Sequence, residues 1–149
     1  MKKVVLLTLL ILGVSMQGFA QKGSVAAAEY ELTAEKPNLD KAKEKIDEAV
    51  LHEKSKDYPR TYIVKNKVYT ALYKKSKEKD EANPKSEFIY EALDAMKQAE
   101  VLDQKGNEKG KGIGKYKDEI GKELTFLRIE LLNDGVAAYN KKDYAAATR

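Results

Sequence analysis

Two pairs of alanines, each seven residues apart and each enclosing one larger apolar side chain, constrain the fold most: Ala42, Ile46 and Ala49, then Ala92, Met96 and Ala99. Seven residues is close to two turns of α-helix, so each triplet lies along one face. Small residues let two helix axes approach closely, and the larger one fills the groove between them. Each triplet therefore calls for a second helix packed tightly on the first. The same order of features starts again at the end of the sequence. There a helical segment with Gly135 in its middle and Tyr139 near its end runs into a polar turn at residues 140–143, then Tyr144 and Ala147.

The rest of the sequence supplies the partner helices. Residues 24–35 form a short alanine-rich segment, broken at Pro37 because proline disfavours helical geometry in the residue before it. Asn38 or Asp40 can cap the next helix, which runs to about Lys54 with Leu39, Ala42, Ile46, Ala49 and Val50 on one face. A third helix is predicted from Thr61 to about Lys77, with the charged residues 74–81 as a frayed, solvated extension. A fourth starts at Ser86 and carries Phe88, Ile89, Ala92, Leu93, Met96, Ala99 and Leu102 at helical spacing. Four glycines, Gly106, Gly110, Gly112 and Gly114, mark residues 103–115 as a flexible loop, since each costs about 1 kcal/mol relative to alanine in a helix. A fifth helix over about 116–140 has one stripe of Ile120, Leu124, Leu127 and Leu131 and another of Phe126, Ile129, Leu132, Val136 and Tyr139. Beyond the first 20 residues no run of branched residues alternates in the manner of a strand. The fold class is all-α.

Residues 1–20 stand apart. Lys2 and Lys3 precede an apolar run ending near Val14, and Gly18 and Ala20 sit at the −3 and −1 positions of a cleavage site after Ala20. This reads as a secretory signal peptide, because a spanning helix needs roughly 20 apolar residues. It predicts a periplasmic or secreted protein with no stable membrane span after cleavage. Loss of Lys2 and Lys3 lowers the formal net charge of +4 by two, and elsewhere Lys alternates with Glu and Asp. Such mixing is a solvated helix surface rather than a basic patch, so nucleic acid is not an expected partner.

The helical pattern alone leaves open an α-hairpin solenoid of another type or a plain bundle. The positions of specific residues go further: they resemble the tetratricopeptide repeat (TPR), 34 residues folded as two antiparallel helices. The last unit places Leu131, Gly135, Tyr144 and Ala147 on the family's bulky, small, aromatic and alanine positions, with the first-helix aromatic displaced by one to Tyr139. Tyr62, Tyr69, Ala92, Met96 and Ala99 fill the middle unit, and Ala42, Ile46 and Ala49 the first. The alanine-to-alanine steps exceed 34 residues, with about 14 extra residues near 76–89 and about 21 near 103–123. The resemblance implies antiparallel helical hairpins stacked as a short α-solenoid, with units of about 24–54, 59–103 and 116–149 inside a domain spanning 21–149. The last unit reads as incomplete at Arg149, which suggests a C-terminally truncated fragment with an apolar edge along residues 145–147 open to self-association.

Searching for chemistry yields little. Cysteine is absent and His52 is the single histidine, so a zinc site of nitrogen and sulfur ligands cannot be assembled. The glycine-rich segment lacks the spacing, hydroxyl and preceding strand of a phosphate loop. The serines lack a nucleophile setting. No catalytic residue, metal or cofactor is expected. The resemblance instead implies a scaffold that binds a protein or peptide partner in the concave groove lined by the first helix of each unit. Carried over by repeat position, the groove residues are Arg60, Ile63, Lys67 and Thr70 from the middle unit and Val136, Tyr139 and Asn140 from the last. The alternatives are a docking or regulatory module of an enzyme whose catalytic part lies outside this chain and a structural, self-associating spacer.

Overall fold

Ala42, Ala92 and Ala99 have no exposed surface and Ala49 almost none, so the small residues do lie where helices meet. The computed structural model describes residues 23–81, 83–106 and 111–148. Residues 23–33 are helical (α1), followed by α2 (Leu39–Leu51), α3 (Pro59–Lys79), α4 (Ser86–Lys105), α5 (Lys117–Asn140) and the short α6 (Tyr144–Ala147). No strand occurs among the described residues. Each helix from α2 on packs against its neighbour in sequence, giving hairpin-like units α1/α2, α3/α4 and α5/α6 stacked as a short helical solenoid. The proposed signal peptide lies outside the described residues.

Local chemistry sets the boundaries. Asn38, rather than Asp40, caps α2 by accepting the Lys41 N–H at 3.1 Å. α3 begins at Pro59, two residues before the expected Thr61, because the fixed φ and missing N–H of proline suit the first turn. The corner between α2 and α3 is held by two buried hydroxyls. Ser55 donates to the Ala49 carbonyl at 2.6 Å, and Thr61 donates to the Ser55 carbonyl at 2.8 Å. His52 is the C-cap residue of α2, its Nδ1 accepting the Lys54 N–H at 3.2 Å.

Two expectations need correction. The charged end of α3 is not a frayed extension: the helix continues to Lys79, and Lys77 is paired with α5. Asp103 does not open a loop either. It is a buried residue in the last turn of α4, and its carboxylate accepts the Tyr116 N–H at 3.1 and 3.2 Å while its carbonyl accepts the Gly114 N–H. The far end of the glycine-rich segment is thereby tied to α4. Gly112 and Gly114 supply the positive φ angles of 80° and 70° that the turn into α5 requires.

The core runs through the stack without interruption. Ile63, Val64, Val68 and Tyr73 of α3 are fully buried among Ala42 and Ile46 of α2, Ile89, Ala92 and Met96 of α4, and Leu127 of α5. α3 is the central element, enclosed on several sides.

Candidate functional site

The first helices of the three hairpins, α1, α3 and α5, are laced together by charge. Glu29 of α1 accepts a hydrogen bond from the Arg60 guanidinium, and Glu119 of α5 accepts from Lys67 at 2.7 Å with Arg60 Nη1 3.7 Å away. Further along, Lys77 of α3 lies 3.1 Å from Asp134 and 3.3 Å from Glu130 of α5, and the Tyr73 hydroxyl donates to Asp134. Burial pulls the Lys77 ammonium down, but its hydrogen bonds to Asp134 and to the Tyr73 hydroxyl outweigh this and leave its pKa above the ordinary lysine value. These two clusters fasten α5 to α3 at both ends.

Between the clusters the two helices part. They leave an open cleft of about 470 Å³ lined by Lys67, Thr70, Ala71 and Lys74 of α3 and by Lys122, Glu123 and Phe126 of α5. The α3 residues recur at three- and four-residue spacing, so they form one face of the helix. The Lys74 ammonium sits over the Phe126 ring, 4.6 Å from its centroid. Lys122 is exposed and has no ion-pair partner among the described residues. Thr70 is only 8% exposed, and its buried hydroxyl oxygen has no hydrogen-bond partner among the described residues. The cleft thus combines an aromatic wall, surplus positive charge and one unsatisfied hydroxyl, features suited to an anionic group attached to an apolar body.

The residues expected in the groove fall in several places. Lys67 and Thr70 line the cleft. Arg60 lies at the junction with α1, beside a smaller cavity of about 190 Å³ that also involves Val25, Lys54, Ser55, Tyr58 and Thr61. Ile63 is fully buried and offers no surface. Val136, Tyr139 and Asn140 are exposed near the end of α5 and do not line the cleft. Ala71, Lys74, Lys122, Glu123 and Phe126 complete the cleft and were absent from the sequence-based set. Lys74 lay in the supposed extension of α3, Lys122 and Glu123 in the segment counted as surplus to the repeat, and Phe126 had been assigned to an apolar stripe.

Among the described residues no group of three or more His, Cys, Asp or Glu side chains could hold a metal ion, and no helix is long and apolar enough to cross a membrane. Compared with family models, with curated proteins and with solved structures, the chain has no match in any of the three.

Proposed function

We propose that the chain is a non-catalytic, TPR-like binding module, exported to the periplasm or beyond, that holds a segment of a protein partner in the cleft between α3 and α5. The observation that carries this reading is the cleft itself. It is flanked by ion-pair clusters that fasten its two walls together, and its lining brings Lys74, Lys122 and the Phe126 ring to one opening. Lys74 and Lys122 favour a partner segment with acidic side chains, and the Phe126 ring favours an apolar residue next to them.

The test is chemical crosslinking of the full chain in the compartment it reaches, followed by the same experiment with two variants. Lys122→Glu combined with Phe126→Ala is expected to abolish capture of the partner, while Tyr139→Ala, outside the cleft, is expected to retain it. Capture that survives the cleft double variant and disappears with Tyr139→Ala would move the binding surface elsewhere.

A further inference from the structure

Four side chains of alternating charge run from α1 across α3 to α5 and end at the cleft. The Arg60 guanidinium spans the first gap: its Nη2 donates to Glu29 of α1, while its Nη1 lies 3.7 Å from Glu119 of α5. The same oxygen of Glu119 accepts from the Lys67 ammonium at 2.7 Å, and Lys67 is one of the residues lining the cleft. Arg60 and Lys67 stand two turns apart on α3, about 10 Å along its axis, and Glu119 is the carboxylate that reaches both. Within the row, two carboxylates balance two cations.

α1 and α5 depend on this row to different degrees. An isolated helix as short as residues 23–33 is marginal in water, so α1 stands only through its anchors. These are the fully buried Ala28, the partly buried Val25 and Leu32, the pair between Glu31 and Lys41, and the pair between Glu29 and Arg60. α5 has Ile120, Leu124 and Leu127 in the core and a second ionic attachment at Lys77. A disturbance of the row is therefore felt first in α1.

From this arrangement we infer that occupancy of the cleft is coupled to the docking of α1: an anionic group that takes the Lys67 ammonium loosens α1. The added anion leaves three negative groups on two cations. Glu119, deprived of Lys67, draws toward Arg60 Nη1, where it repels Glu29 and competes with it for one guanidinium. The coupling is reciprocal, since release of Glu29 gives Arg60 to Glu119 and frees Lys67 for the ligand. As regulation it rests on the cleft reading, which supplies the anionic ligand; the link between Lys67 and α1 lies within the chain and is measured without one.

Amide hydrogen exchange of the full chain, followed over residues 23–33 with no ligand added, tests it. Lys67→Gln withdraws the ammonium from Glu119, as an anionic ligand does. Exchange in α1 is expected to rise by roughly two- to five-fold, the range for one partly exposed ion pair, while the core of α4 keeps the parent's rate. Lys67→Arg, which keeps the charge, is expected to match the parent. In a Glu119→Gln background, Lys67→Gln is expected to leave α1 unaltered, because no second carboxylate remains to compete for Arg60. Exchange in α1 that is indifferent to Lys67→Gln, that rises equally in α4, or that rises as much with Glu119→Gln as without it overturns the coupling. None of these results touches the cleft reading, which capture by the Lys122→Glu and Phe126→Ala double variant decides separately.

Discussion

Tyr73 is fully buried as a ring, yet its hydroxyl reaches Asp134, sixty-one residues along the chain, while the Lys77 ammonium lies over the ring and donates to the same oxygen at 3.2 Å. Burial first, and then the Asp134 carboxylate, push its pKa up to about 12. Tyr69 behaves alike, its hydroxyl donating to Asp47 at 2.8 Å with a pKa again near 12. A tyrosine whose folded pKa is raised keeps its proton in the native state after the unfolded chain has lost it. The stabilisation is therefore complete below pH 10 and lost as pH rises toward 12. Lys77 acts in the same direction, because its folded pKa is raised as well. Urea titrations across pH 9–12 are expected to show stability falling with pH, with a shallower slope in Tyr73→Phe; an unchanged slope would mean that this hydroxyl is not held as described. These partnerships were not legible in the sequence, because Asp47 and Asp134 lie on other helices, 22 and 61 residues away along the chain. The alanines were legible because they act through the absence of a side chain, which local spacing reveals.

At the scale of elements, α5 departs furthest from a simple amphipathic helix. Of the stripe of Ile120, Leu124, Leu127 and Leu131 evident from periodicity, the first three are buried and Leu131 is partly buried against the core. The second stripe divides: Phe126 turns toward the cleft, while Ile129, Leu132, Val136 and Tyr139 face solvent. Periodicity identifies a face but not what lies opposite it, so it could not separate the buried stripe from the exposed one. α5 also carries two glycines with different surroundings. A side chain at Gly135 would meet the Ala147 carbonyl oxygen of α6 at 3.5 Å, whereas one at Gly121 would meet nothing. Gly121→Ala is therefore expected to stabilise the protein by about 0.5–1 kcal/mol through helix propensity alone. Thermal unfolding can check this, and a lower midpoint would show that position 121 is not the open helical site described.

Over the whole molecule, the alanine spacing called for closely packed helix pairs, the stacking of hairpins was what the resemblance implied, and Pro37, Pro59 and Pro84 each lie just before or at the start of a helix. The site was legible only in part. Repeat position named Lys67 and Thr70, which line the cleft, together with Ile63, which is buried, but it named nothing on the opposite wall. The helix itself was expected over about 116–140 and is found at Lys117–Asn140, but Lys122 and Glu123 fell in the segment counted as surplus to the repeat and Phe126 in an apolar stripe. The account turns on whether the space between α3 and α5 holds a partner. Site-specific photo-crosslinking measures this most directly, with the reactive side chain placed in turn at Lys74, at Lys122 and at Lys97 on the exposed face of α4. The account predicts one shared partner adduct from Lys74 and Lys122 and none from Lys97. Adducts from Lys97 alone, or the same adducts from all three positions, would contradict it.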